Sequence, residues 1–135
     1  MRYLVDTSIW SLVLRRDEKQ NEQLIHLLSE LIDKKQVVLC GPVRQELLSG
    51  IKQPEQFRQL KLRLRHFKDL PAATEDYELA AEFFNQCRAK GVQASNIDFL
   101  LCSLAVNNDL VLLTADQDFL RIEKHIKVKV HFVKA

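Results

Sequence analysis

The chain has 135 residues, 47% of them hydrophobic and 28% charged, with only three glycines and three prolines. This profile excludes a disordered chain and a small stapled scaffold, and it suits one compact domain spanning residues 1–135 that buries roughly two-thirds of its unfolded surface. Twenty Lys and Arg against 18 Asp and Glu leave a formal net charge of +2, so no global field drives the protein onto nucleic acid or membrane, and any such contact has to come from a local cluster.

The chain opens MRYLVDTSIWSLVL. The stretch RYLV reads as a short strand ending at Asp6, and TSIWSLVLRR after it has helical spacing. The apolar run is broken by Asp6 and reaches Arg15 and Arg16 too soon to span a bilayer. No uninterrupted apolar region leads to a small-residue cleavage site, so a cytoplasmic protein without membrane contact is expected. Next, NEQLIHLLSELIDKK sets Leu24, Leu27, Leu28, Leu31 and Ile32 on one helical face. QVVLC (36–40) has the unbroken apolar character of a strand buried on both sides.

GPVRQELLSG predicts a short helix, with Pro42 suited to its first turn and Gly50 to its end. EQFRQLKLRLRHFK predicts an amphipathic helix with Phe57, Leu60, Leu64 and Phe67 on its apolar side. EDYELAAEFFNQCRAKG is a further helix closing on Gly91, and SNIDFLLCSLAVNND another, unusually apolar. LVLLT (110–114) is a third buried strand, ADQDFLRIEKH a short helix and KVKVHFV a terminal strand. Strands separated by helices along the whole chain predict an α/β fold with an open, mostly parallel sheet and right-handed crossovers. Cys40, Cys87 and Cys102 are odd in number, far apart and set among apolar neighbours, as buried thiols in a reducing compartment are.

In such a sheet, ligands bind beyond the carboxyl ends of the strands. Asp6 ends the first strand, Glu46 follows the second and Asp116 lies two residues past the third, so one edge gathers all three. Asp98 joins them from the helix leading into the third strand, where apolar neighbours at helical spacing (Ala94, Leu101, Cys102, Ala105) predict that it faces inward. Each acid has a plainer reading. Asp6 suits a helix cap, Glu46 a solvated helical position, and Asp116 and Asp118 a helix N-terminus in which Thr114 and Gln117 form a capping box. Asp98 has the weakest such alternative, because an inward-facing helical aspartate needs a partner.

Apart from Arg44, two residues from Glu46, no base lies near the acids in sequence. Carboxylates gathered without counter-charge raise one another's pKa unless a cation sits among them. Oxygen-only donors favour Mg²⁺ or Mn²⁺ over zinc, and a hard cation with open positions serves phosphate chemistry. No Walker loop or dinucleotide glycine pattern is present, the four histidines lack ligand spacing, and Ser8 has no neighbouring base, so phosphodiester hydrolysis is the expected reaction. Arg58, Lys61, Arg65 and Lys68 follow at helical spacing as one basic stripe, an expected RNA track whose plainer reading is a solvated face.

The stretches YLVDTSIW, VRQELLSG with Glu46, NIDFLLCSLAV with Asp98 and LLTADQDF with Asp116 resemble the four acidic motifs of PIN-domain ribonucleases, and the short chain resembles the VapC toxins of type II toxin–antitoxin modules. The resemblance implies a three-layer α/β/α sandwich around a central, mostly parallel sheet. It implies Asp6, Glu46, Asp98 and Asp116 as catalytic acids, with Asp6, Asp98 and Asp116 holding Mg²⁺ or Mn²⁺. It also implies endoribonuclease activity, commonly on tRNA or rRNA, by in-line attack of an activated water. Ser8, Thr114 and Asp118 would support the acids. Asp116 and Asp118 compete for the last place; on a helix they stand about 200° apart, which favours Asp116. A cognate antitoxin whose C-terminal segment covers the acids, and a homodimer, are further implications.

Two rivals read the same acids differently. A haloacid-dehalogenase-like phosphatase needs a second acid two residues after the first, where Ser8 stands, and a receiver domain needs a phosphoacceptor where Cys40 and Gly41 stand. A non-catalytic RNA-binding or RNA-processing module of the same fold is the remaining alternative, and metal-dependent turnover separates it from an enzyme.

Overall fold

The computed structural model describes residues 1–14 and 21–134. Five strands form one sheet: β1 (Tyr3–Val5), β2 (Val37–Cys40), β3 (Asp69–Leu70), β4 (Val111–Thr114) and β5 (Val130–Phe132). Their order is β3-β2-β1-β4-β5 and every neighbouring pair is parallel, so the expected mostly parallel sheet is parallel throughout. Helices α1 (Thr7–Leu14), α2 (Glu22–Asp33), α3 (Gly41–Leu48), α4 (Pro54–Leu64), α5 (Thr74–Ala89), α6 (Asn96–Asn107) and α7 (Asp118–Ile122) cover it.

The inner strands are apolar because both faces are covered: Leu4, Val5, Leu39, Leu112 and Leu113 are fully buried. From β1 the chain winds one way, through β2 to β3. It then crosses back through α5 and α6 to place β4 on the other side of β1. The direction of winding reverses between β1 and β4, and that switch point is where open α/β sheets hold their ligands. α5 and α6 are joined by the buried Asp76, whose carboxylate accepts the Ala73 N–H at 2.8 Å and the Asn107 side-chain amide at 2.8 Å.

Two predicted helices are clearly shorter than expected: the one over ADQDFLRIEKH is reduced to Asp118–Ile122, and α4 is cut back at its end. α4 stops at Leu64, so Arg65 follows it as the capping residue and His66–Lys68 lie past it. Phe67 leaves the expected apolar stripe and meets Trp10 edge-to-face at 5.5 Å. The cause is the β3 strand that follows, which the sequence reading missed. Arg44 on α3 reaches across to it, with Nε on both Asp69 carboxylate oxygens (3.0 and 3.2 Å), Nη1 on Leu64 O (3.0 Å) and Nη2 on Phe67 O (2.7 Å). Leu64 O is the carbonyl that a continuing helix would have offered to the Lys68 N–H, and Phe67 O would have met Pro71, which has no N–H.

Candidate active site

Asp6 stands where β1 turns into α1. Its backbone carbonyl accepts the N–H of Ile9 at 3.1 Å, so the backbone does cap the helix. The carboxylate does something else. Oδ2 accepts hydroxyl hydrogens from Ser8 and from Thr114, each at 2.8 Å. Each hydroxyl also accepts a backbone N–H, Ala115 to Ser8 at 2.9 Å and Asp116 to Thr114 at 3.0 Å. Each hydroxyl thereby both donates and accepts, and the ends of β1 and β4 are laced together around one oxygen of a nearly buried acid. The expected capping box between Thr114 and Gln117 does not form, because the Thr114 hydroxyl is spent on this lacing.

Asp116 lies in the connection after β4, before α7 begins, so helical spacing does not govern its relation to Asp118. The two separate by partners instead. Asp116 Oδ1 accepts the Asp118 N–H at 2.9 Å, while the Asp118 carboxylate pairs with Arg121. Asp118 thus steadies Asp116 through its backbone, and Asp116 is the acid whose charge reaches Asp98.

Asp98 has the partner that an inward aspartate requires, but that partner is a helix terminus. It stands third in α6 in a reciprocal capping box: its Oδ2 accepts the Ser95 N–H at 3.1 Å, and its own N–H donates to Ser95 Oγ at 3.1 Å. It is half-buried and not enclosed. The Ser95-x-x-Asp98 pattern was present in the sequence to be found. Even so, burial pushes the Asp98 pKa up, and the charges of Asp116 and Asp6 add to that rise.

Glu46 lies on the exposed flank of α3, and desolvation raises its pKa too, followed by the charges of Asp6 and Asp98. The Thr7 hydroxyl opposes that rise although it is buried and closes no hydrogen bond of normal geometry. The Cys40 thiol beneath the site is pushed up to about 11, chiefly by burial and further by Asp69, Asp6 and Glu46. The four acids therefore form one electrostatic cluster at the switch point, and Arg44, two residues from Glu46 in sequence, is turned away to Asp69.

The donor set is oxygen alone. Among the described residues, no hydrogen bond reaches Asp6 Oδ1, Asp98 Oδ1, Asp116 Oδ2 or either Glu46 oxygen. Each aspartate is anchored by one oxygen and leaves the other uncommitted. No three His, Cys, Asp or Glu side chains among the described residues stand close enough to share one ion, short of the three-acid ligand set expected from sequence. Mg²⁺ is commonly held by one or two carboxylates and several waters, so the chemistry of the donors fits a hard divalent cation.

A family model described as "PIN domain" matches residues 3–125. The chain belongs to the PIN-domain family. No curated protein sequence matches it significantly. Among solved structures it is similar to FitAcB from Neisseria gonorrhoeae, with TM-score 0.78 and 22% identity over 97% of this chain and 96% of that one. VapBC2 from Rickettsia felis, solved bound to a promoter DNA fragment, gives 0.78 and 19% over 99% and 100%. VapBC-1 from nontypeable Haemophilus influenzae gives 0.75 and 19% over 98% of each chain. At these identities the likeness is one of fold, and it covers essentially the whole PIN domain.

The basic residues are less united than the spacing predicts. Arg58 is paired with Glu55 at 2.8 Å, Lys61 is half-buried, and Arg65 and Lys68 lie past the last residue of α4. They form no continuous helical stripe. No helix among the described residues is long and apolar enough to cross a membrane.

Proposed function

We propose that this PIN domain is a metal-dependent endoribonuclease that hydrolyses RNA phosphodiester bonds and acts as the toxin of a toxin–antitoxin pair. One observation carries the reading: four acids from four separate segments meet at the switch point, two with raised pKa values, and none of the four is ion-paired among the described residues. An electrostatically costly arrangement of this kind is a functional-site signature.

Asp6, Asp98 and Asp116 would hold the ion through their uncommitted oxygens, one or two of them directly and the rest through its coordinated waters. When bound, Mg²⁺ or Mn²⁺ supplies polarisation of a phosphoryl oxygen and a lowered pKa for a coordinated water. Glu46 is suited to take the proton of the attacking water, since a raised pKa makes its carboxylate a better base. Ser8 and Thr114 hold Asp6 in place, and the Asp118 amide does the same for Asp116. Lys61 and Arg65, with no ion-pair partner among the described residues, are the cations we place on the RNA backbone. The similarity to structures named as VapBC complexes supports an antitoxin partner. An antitoxin arginine would neutralise the acids by bidentate pairing, and a homodimer completes the reading.

The test is cleavage of a tRNA and rRNA mixture by folded, antitoxin-free protein with Mn²⁺, with Mg²⁺ and with EDTA, comparing wild type with Asp98→Asn. Discrete fragments that need the metal and vanish in the variant are expected. Absence of cleavage in all metal-supplied wild-type samples would overturn the enzyme reading and leave an RNA-binding module.

A further inference from the structure

The sheet is open at the amino end of β2, opposite to the end of β1 where Asp6 stands. The ladder between β2 and β3 pairs only Leu39 with Asp69 and Cys40 with Leu70. Val37 and Val38, in the first half of β2, therefore have β1 on one side and, among the described residues, no strand on the other. The Tyr3 N–H bonds to Gln36 O at 2.7 Å, which turns residues 36 and 38 toward β1 and, by alternation, the Val37 N–H toward the open side.

Beside this edge lies a groove of about 600 Å³, a size that accommodates a ligand or a short stretch of chain. Its floor is Ile32, Val37, Val38, Leu70 and Pro71, with Phe67 at one wall, and its rim carries Arg2, Lys35, His66 and Lys68. None of these rim side chains makes an ion pair among the described residues. The one acid that lines the groove among the described residues, Asp69, already has both oxygens on Arg44. An apolar floor, an unpaired strand edge and a rim of free positive charge coincide.

We infer that this groove docks an extended, acidic segment of a partner protein, which adds a strand beside Val37 and Val38. Its apolar side chains meet the floor and its carboxylates face Arg2, Lys35 and Lys68. Strand addition derives affinity from main-chain hydrogen bonds and specificity from alternate side chains, and this edge offers both. The floor argues against single-stranded RNA, whose sites rely on aromatic platforms. Here the floor is aliphatic, and the phenyl ring at its wall, Phe67, is engaged edge-to-face with Trp10. The groove starts at the amino end of the sheet, where Arg2 and Lys35 stand, whereas Asp6 lies at the carboxyl end of β1. Its occupancy can thus be read without any cleavage.

The experiment uses a fluorescein-labelled decapeptide of alternating Glu and Val and follows anisotropy on titration with the full chain at low salt. Saturable binding is expected. It should weaken at least about tenfold in Arg2→Glu/Lys68→Glu, whose fold is checked by circular dichroism. Lys35→Gln alone should weaken it in the same direction, which serves if the double variant does not fold. N-methylation of alternate probe amides, which removes main-chain donors and keeps every charge, should also cost at least about tenfold. Lack of saturable binding overturns the inference, as does equal affinity for all variants, which would mean that the rim merely keeps a sheet edge solvated. Displacement of the peptide by an RNA dodecamer at matched charge would reassign the groove to nucleic acid.

Discussion

The Thr114 hydroxyl donates to Asp6 Oδ2 at 2.8 Å across the seam between β4 and β1. One buried hydroxyl thereby fixes the orientation of an acid from the other end of the chain and holds the Asp116 N–H at 3.0 Å. Thr114→Val keeps the shape and removes both bonds. It should destabilise the fold by about 1–3 kcal/mol, because a nearly buried carboxylate loses a donor and an N–H loses its acceptor. Ser8→Ala should act on the same oxygen, so the double variant should depart from additivity by at least about 0.5 kcal/mol. Urea denaturation of the four proteins in EDTA measures this.

Asp98→Asn separates the cost of charge from the work of capping. The asparagine side chain still accepts the Ser95 N–H, so the capping box survives while a repelling charge is removed. In EDTA the variant should melt at or above the wild-type temperature, and turnover should fall by at least about 10²-fold. Saturating Mn²⁺ should stabilise the wild type, by about 2.7 kcal/mol at a hundred times its dissociation constant, and the variant much less. A variant that melts well below the wild type without metal would make Asp98 structural.

The raised pKa values of Glu46 and Asp98 set the sign of a pH effect. A carboxyl whose folded pKa exceeds its unfolded value binds more protons folded than unfolded, so stability from it falls as pH rises through that interval. The penalty is complete above the raised folded pKa and absent below the unfolded one. The gain in melting temperature of Glu46→Gln/Asp98→Asn over wild type, in EDTA, should therefore be largest near neutrality and shrink as pH drops toward about 4. In cleavage assays the acid limb should lie above the ordinary carboxylate range, since Glu46 must be ionised to accept a proton.

What could be read in advance follows from the range of each interaction. The inner strands and α2 are legible because their patterns are local: Leu24, Leu28 and Leu31 fall inward as their spacing requires. The acids converge as the strand-end rule predicts, because in a parallel sheet chain order alone puts Asp6, Glu46 and Asp116 at one edge. β3 is illegible in Asp69 and Leu70 themselves, two residues without alternation, because Arg44, 25 positions earlier, holds them in place. For the same reason the basic stripe fails: periodicity continues past Leu64, but Leu64 O is taken there by Arg44 and by the Phe67 N–H of a tighter turn. The cap beneath Asp98 was legible in Ser95-x-x-Asp98 but outweighed by the apolar spacing around it.

Arg44 is accordingly the residue whose loss should reach furthest outside the acid cluster. Its guanidinium joins α3, which carries Glu46, to the end of α4 and to β3, through Asp69 and two main-chain carbonyls. Arg44→Ala should cost about 2–3 kcal/mol, in line with losing charge-assisted bonds at a partly buried position. Arg44→Lys should recover little, because an ammonium cannot grip a carboxylate and two carbonyls in one plane. Denaturation midpoints give the stability. Hydrogen exchange should localise the loss to Asp69–Leu70 and the last turn of α4, with β4 and α6 protected as in the wild type. Uniform loss of protection would mean that β3 and the α4 terminus are not a separable unit and that Arg44 stabilises the sheet as a whole.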